Sequence, residues 1–503
     1  MADVAESGAD GTVDGTSGDD DLSLGRKAAG GFVWALVGFA LMQVGSFATY
    51  TIATKILGAD GIGVVGIALT LVFWIDILLG VGMGASLIFE QEKGQTERVA
   101  VAFTVNMMVA VVLSIAIYFG AGAIDDFLGA GNPNLFRVVA ALVLVKGLGQ
   151  VPDAMLKRDL DFKRRAKADF TRSLGRFVIS VSLLKAGVGP IAMVIGVLSA
   201  EIAATVVTWA LVRFKPTLRF DLKIAGQMLR FGSAMFAAQL VGMLWLQGDY
   251  LVLSRHFNSK SRQFGEYYTA FRLPELVLGS VYNLFSNVAF PAYAAAREAG
   301  PEALRNASLK SLRLLCMFGF AAGVGMSLIA RDFITVVYPE VLGAIPIMQL
   351  LCVAGGFVGV GYASGDLFNA MGKPRLGLYF SLTFVPILMG GFVLVVDRGV
   401  IAIAAVHVAV IIPYSAFRIQ VANRLLGTTW KDSLIALRPA AALVIGIGAF
   451  AWPVRLTLDA GWGSLFAVFF AGLLGGFAGL AVGDRATLVE LGEGGQKVLA
   501  RFR

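Results

Sequence analysis

Apolar stretches recur almost without interruption from Ala28 to Gly483, and the polar positions between them cut the chain into about fourteen segments, each long enough to cross a bilayer. The first is Ala28 to Ile52. The others fall near 62–88, 99–120, 135–155, 170–186, 189–212, 231–254, 266–292, 311–330, 344–370, 376–396, 400–420, 438–458 and 461–482. This pattern predicts an all-α integral membrane protein. Residues 1–25, with seven acidic side chains and no basic one, offer no apolar stretch and read as a disordered acidic tail. They lack the basic start and apolar run of a secretory signal, so the first span is read as retained.

Composition supports lipid as the solvent. Hydrophobic residues are 57% of 503 and charged ones 15%, too little polar surface to solvate a globule of this size. With the amino terminus inside, about 28 of the 42 Lys and Arg fall on the cytoplasmic side. The stretches that decide this are Lys157 to Lys167, with six basic residues, and Arg213 to Arg230, with five. Both termini are then cytoplasmic. The net charge of +8 is mostly this inner-face bias, and no module for nucleic acid accompanies it. Cys316 and Cys352 lie in apolar spans without a CxxC partner, and His256 and His407 are the two histidines, so neither a redox pair nor a metal site is expected. There is no phosphate-binding GxxxxGK[ST] loop, no cofactor is implied, and no extramembrane stretch exceeds about 25 residues.

The chain looks doubled. Laying Leu57-Gly58-Ala59-Asp60-Gly61-Ile62-Gly63 beside the stretch ending Gln263-Phe264-Gly265 puts Gly63 on Gly265 and Ala68 on Ala270. A second pairing sets Val151 to Leu156 beside Ser364 to Asn369. The expected organisation is a tail at 1–25, a six-span lobe at 26–212, an inner loop at 213–230, a second six-span lobe at 231–420, two further spans at 421–482 and a tail at 483–503. Each lobe has an even number of spans, so the repeats are parallel, the plan of transporters that rock two halves about a central cavity.

A charge at mid-helix in hydrocarbon costs about 2.5 to 3.5 kcal/mol, so each needs a partner or a water-filled cavity. The first lobe carries Asp76, Lys146 and Glu201 near midspan, with Arg172 and Arg176 one turn apart. Two readings stand for Lys146 and Arg176: they hold an anionic substrate between the lobes, or they pair with Asp76 and Glu201 and staple helices. The second lobe carries Asp249, Arg272 with Glu275, Asp366 with Asn369, and His407, all placed nearer the membrane faces. Arg272 and Glu275, at i,i+3, are expected to satisfy each other. Asp249 and Asp366 have no cationic neighbour in sequence and are candidates for a cation or proton site.

Several motifs resemble a known family. Leu57 to Gly66 followed by Leu79 to Ile88, the inner-loop stretch Leu156-Lys157-Arg158-Asp159-Leu160-Asp161-Phe162-Lys163-Arg164-Arg165-Ala166, and Gly265-Glu266-Tyr267-Tyr268-Thr269-Ala270-Phe271-Arg272-Leu273-Pro274-Glu275 with Val288 to Pro291 resemble, in order, the Wzx-type polysaccharide flippases of the multidrug/oligosaccharidyl-lipid/polysaccharide exporter superfamily. Coverage runs from about Gly31 to Arg438, and Lys157 stands where that family more often has Gln. The resemblance implies fourteen helices in two six-helix lobes, alternating access, and no covalent chemistry. It implies a polyprenyl-diphosphate-linked saccharide as cargo, flipped to the outer leaflet of a bacterial inner membrane. Membrane lipids and a polysaccharide polymerase or assembly protein would be partners.

Under it, Lys146, Arg172, Arg176 and Arg272 are assigned to the diphosphate, Lys146 and Arg176 first. Asp76, Glu201, Asp249 and Asp366 are assigned to ion coupling. The alternative is a cation-coupled exporter of drugs or small molecules from the same superfamily, which would rely on carboxylates. A membrane glycosyltransferase fits less well, since the outer loops are short and Asp125-Asp126 is their only carboxylate pair.

Overall fold

The computed structural model describes residues 17–79, 95–158, 162–212 and 220–490, and over them the chain is helical, with no strand. In chain order the helices are α1 Ser17–Leu79, α2 Gln95–Leu128, α3 Pro133–Arg158, α4 Phe162–Lys185, α5 Ile191–Val212, α6 Leu222–Phe257 and α7 Arg262–Pro274. They continue as α8 Ser280–Ala299, α9 Pro301–Val337, α10 Ala344–Ala370, α11 Arg375–Val395, α12 Val400–Leu426, α13 Trp430–Thr457 and α14 Trp462–Gly483. Among the described residues ten helices are long and apolar enough to cross a membrane. That number counts α1 once although it turns at Gly58. It passes over α4, which carries Asp169, Arg172, Arg176 and Lys185, over the 13-residue α7, and over α6 and α8.

Two local features explain the shape of the spans. Gly58 adopts φ 66°, ψ −171°, backbone that a side chain disfavours, so α1 is two helices joined at the start of the Leu57–Gly63 motif. At the other, Pro274 has no N–H to give its ladder, and a π turn, Glu275–Gly279, carries α7 into α8. The expected span 266–292 is therefore covered by α7, the π turn and α8 in unbroken succession. Helix ends also differ from expectation. Asp221 caps α6 by accepting the N–H groups of Lys223 (2.7 Å) and Ile224 (3.1 Å), so this helix starts nine residues before the expected Phe231. Thr429 and Asp432 form a capping box that starts α13 ahead of Arg438. Residues 1–16 of the expected acidic tail, 80–88 of the second span and 159–161 of the basic loop lie outside the described residues. From Ser17 the backbone is helical.

Helices α1 to α5 pack on one another, with α4 against α1 and α5, and α3 against α2 and α5. In the second half α10 touches α7, α8, α9 and α12, while α11 lies on α6 and α12. Helices α13 and α14 pair and lie on α9. Cys316 and Cys352 are buried, free thiols in α9 and α10.

The two halves meet where α1 lies on α6 and α7. Gly63 and Gly265, aligned as repeat equivalents in sequence, face each other here. A Cβ on Gly265 would overlap the Ala59 carbonyl oxygen, and one on Gly63 the Ser259 carbonyl oxygen. On the same face the Ser259 hydroxyl and N–H (3.3 Å) donate to Leu128, and the Lys260 N–H donates to Gly129 (3.3 Å). Tyr50 donates to Thr269 (2.8 Å), and Thr51 pairs with Tyr338 (2.7 Å). These contacts close the face that bears the turns near Gly58, Gly129 and Asn258. Between helices in lipid each such hydrogen bond is worth only about 0.6 kcal/mol, so the closure is a sum of weak terms and can be undone.

Candidate substrate cavity

Below this closed face the halves part to leave a cavity of about 320 Å³. Its walls come from α1, α3, α4 and α5 on one side and from α6, α7 and the first residue of the π turn on the other. At 1.5 Å of rise per residue, Asp76 lies about 27 Å along α1 from Gly58, Lys146 about 20 Å from the start of α3, and Arg176 about 14 Å from the end of α4. Set against a layer about 30 Å thick, Arg176 falls near the middle, and Lys146 and Asp76 lie progressively farther from the closed face.

All four cations assigned from sequence line this cavity, together with Asp76, Glu201 and Glu275. Lys146 Nζ lies 2.7 and 2.9 Å from the two Asp76 oxygens. Arg172 grips Glu201 with two parallel bonds, Nε to Oε2 at 2.9 Å and Nη2 to Oε1 at 3.2 Å, and donates to Asp169 at 2.8 Å. Arg272 donates to Glu275 at 2.7 Å, as their spacing predicts. Arg176, one turn along α4 from Arg172, has no carboxylate partner, and its buried Nε has no hydrogen bond among the described residues. Of the two readings open for Lys146 and Arg176, pairing therefore holds for Lys146. It does not hold for Arg176, because Glu201 is taken by Arg172. Four cations face three carboxylates, which leaves the lining one positive charge in excess.

The remaining candidates lie elsewhere. Asp249 is 1% exposed inside the second half, where it accepts from Tyr267 (2.7 Å) and faces His407 Nε2 at 3.3 Å. Asp366 accepts from Ser286 at 2.7 Å, and its second oxygen has no partner among the described residues. Neither lines the cavity. Arg272 and Glu275, expected near a membrane face, line the cavity because α7 starts at the closed face and brings them to its depth.

Sequence reasoning missed the uncharged lining, which includes Phe73, Gln247, Tyr250 and Tyr268. Gln247, an amide within an apolar span, was the available signal. It also missed Arg418, which donates to Ser364 (2.7 Å), Tyr414 (2.6 Å) and the Gly361 carbonyl (3.0 Å) and lies over the rings of Phe368, Phe380 and Tyr414. This buried cation is satisfied in place and ties α12 to α10. Asp332, fully buried with neither oxygen bonded among the described residues, was likewise not singled out.

Comparison with known proteins agrees with this architecture. The lipopolysaccharide biosynthesis protein WzxC of Escherichia coli (strain K12) is 25% identical over 383 residues, covering 74% of this chain and 76% of that protein. The teichuronic acid biosynthesis protein TuaB of Bacillus subtilis (strain 168) is 24% identical over 402 residues, 78% of this chain and 76% of that one. The solved structure of the lipid II flippase MurJ in an inward closed conformation superposes with a TM-score of 0.68 at 14% identity, over 91% of this chain and 99% of that chain, and so shares its fold. A family model described as polysaccharide biosynthesis protein matches residues 52–341, more than half of the 503, and the chain belongs to that family, as a multi-pass membrane protein.

Proposed function

We propose that the protein is a flippase that moves a polyprenyl-diphosphate-linked oligosaccharide, a precursor of cell-surface polysaccharide, from the inner to the outer leaflet of a bacterial cytoplasmic membrane. The observation that carries this reading is the uncompensated cation at mid-depth, Arg176, in a cavity between two helix sets that also holds Lys146, Arg172 and Arg272. A diphosphate bearing sugars would have to shed two charges and many hydrogen bonds to cross hydrocarbon unaided, whereas its prenyl tail needs no carrier. Cationic side chains in a low-dielectric cleft replace the lost hydration, and Arg in particular matches phosphate oxygens with two parallel donors.

With the amino terminus inside, the closed face is the external one and the basic stretches lie in the cytoplasm. The cargo's head enters from the inner leaflet, settles on Arg176 and Lys146, and draws Lys146 and Arg272 from Asp76 and Glu275. The two halves then rock, parting the Gly63–Gly265 contact and exposing the head outside. Asp76 and Glu201 act as standing counter-ions that keep the empty cavity near neutrality. Asp249, with His407, is the place for ion coupling in the second half. The small-molecule exporter of the same superfamily is less well supported, because each carboxylate lining the cavity is already held by a cation.

Purified full-length protein in liposomes tests the reading. It is expected to equilibrate a fluorescent prenyl-diphosphoryl saccharide between leaflets while leaving a labelled phosphatidylcholine where it began. Equal movement of both lipids, or of neither, would refute it.

A further inference from the structure

The two walls of the cavity differ in chemistry. Asp76, Lys146, Arg172, Arg176 and Glu201 place most of the charge on the first-half wall, whereas Gln247, Tyr250 and Tyr268 give the second-half wall neutral hydrogen-bonding groups on aromatic rings. Gln247 stands on α6 after Leu244-Trp245-Leu246, in a helix whose surroundings repay no exposed amide. Its Oε1 is shut off from solvent and has no donor among the described residues. Tyr250, three residues on, shares that helix face, and its ring lies 5.3 Å from that of Tyr268.

The hydroxyls of Tyr250 and Tyr268 also have no hydrogen-bond partner among the described residues, which sets them apart from the other buried tyrosines. Tyr50 bonds Thr269 at 2.8 Å, Tyr267 bonds Asp249 at 2.7 Å and Tyr282 bonds the Gly355 carbonyl at 2.9 Å. Buried polar groups are normally satisfied, and Gln247 Oε1 is one that is not; with the two tyrosine hydroxyls on the same wall left without a protein partner among the described residues, the three mark groups kept for a ligand.

The geometry points to Gln247, Tyr250 and Tyr268 as a subsite for the first sugar of the cargo, a hexose or N-acetylhexosamine joined directly to the diphosphate. This rests on the diphosphate reading above. The amide both donates and accepts, as sugar hydroxyls and the N-acetyl group do, and the tyrosine rings and hydroxyls meet the ring's apolar and polar edges. At about 320 Å³ the cavity is at the small end of the roughly 300–1,000 Å³ typical of ligand pockets. That suits a diphosphate with its first sugar, and longer saccharide would extend out of it. Cargo selection then lies with the sugar nearest the phosphates.

Calorimetric titration of the purified full-length protein with two probes, farnesyl diphosphate and farnesyl diphosphoryl N-acetylglucosamine, tests this. Wild-type protein is expected to bind the sugar-bearing probe more tightly. Gln247→Leu should weaken that probe about tenfold and leave the sugar-free probe unchanged, whereas Arg176→Gln should weaken both by the same factor. Tyr268→Phe, which removes one hydroxyl only, should lose about threefold on the sugar-bearing probe alone, and it decides the matter if Gln247→Leu does not fold. Equal weakening of both probes by Gln247→Leu and Tyr268→Phe, or no effect of either, overturns the subsite. Wild-type protein that binds both probes equally overturns the subsite and leaves the flippase reading standing. Wild-type protein that binds neither overturns both.

Discussion

Replacing Arg176 by Gln separates binding from structure more cleanly than any other change in the cavity. Each neighbouring cation holds a carboxylate, so removing Arg172 would strand Glu201, whose side chain is 11% exposed, and breaking a buried pair costs about 3 to 5 kcal/mol. Arg176 holds no carboxylate, and its Nε is an unsatisfied donor. Its removal strands nothing and relieves a burial cost, so Arg176→Gln should keep the wild-type melting temperature or exceed it slightly. Cargo binding should suffer. A charge-assisted hydrogen bond is worth about 1.5 to 3 kcal/mol. Loss of the guanidinium, offset partly by the amide left behind, should cost about 2 to 3 kcal/mol, or roughly 30- to 150-fold in affinity. The assay is leaflet exchange of a labelled prenyl-diphosphoryl saccharide in liposomes, at concentrations below saturation, alongside thermal unfolding of the same preparations. Exchange at the wild-type rate, or a loss of stability matching that of Arg172→Met, would refute the reasoning.

Other parts of the account carry their own tests. Asp76→Asn frees Lys146 from its counter-ion and should tighten binding of sugar-free farnesyl diphosphate by about threefold to tenfold in calorimetric titration; weaker binding would count against Lys146 as a cargo ligand. Gly265→Val drives side-chain atoms into the Ala59 carbonyl. It should cost at least about 1 to 3 kcal/mol and raise labelling of a cysteine placed at Ser259 by an impermeant maleimide. Beyond the spans, Glu490 bonds Lys310 (3.3 Å) and Arg313 (2.8 Å), and these partners, the Lys310 hydrogen bond first, hold its carboxyl below the usual range. A lowered pKa stabilises the contact above the ordinary carboxylate value near 4.3 and releases it as pH falls through the depressed value. A spin label at Val489 should therefore stay ordered at neutral pH and gain mobility once the pH is taken below the ordinary carboxylate value, and unchanged spectra would show that the clasp is not electrostatic.

The bilayer made the charged half of the cavity legible from sequence. Asp76, Lys146, Arg172, Arg176 and Glu201 interrupt apolar runs at a depth where each costs free energy, so hydropathy alone points inward. Partnership was not legible. Arg172 and Arg176 are equivalent in spacing, and only the packing of α4 against α5 gives Glu201 to Arg172. The second half was harder, because α7 starts at Arg262, ahead of the expected span at 266, and so carries Arg272 and Glu275 to the depth of the cavity although linear position puts them near a face. Asp249 was visible as an intramembrane acid, but its partner His407 comes from α12, 158 residues away. Gln247, Tyr250 and Tyr268 are the least legible, since a tyrosine on an apolar face is ordinarily core. What distinguishes these two is the lack of a partner for the hydroxyl, which appears only in three dimensions. The pairing of Gly63 with Gly265 was drawn from sequence as an expected repeat, but that the two glycines meet is seen only in three dimensions.

The central claim is tested most directly by mass spectrometry of lipid extracts from cells with and without this gene. The account predicts that loss of the gene builds up a polyprenyl-diphosphate oligosaccharide, and that returning the gene, but not its Arg176→Gln form, clears it. No build-up, in cells shown to make such a lipid and to lack a second flippase for it, would contradict the account.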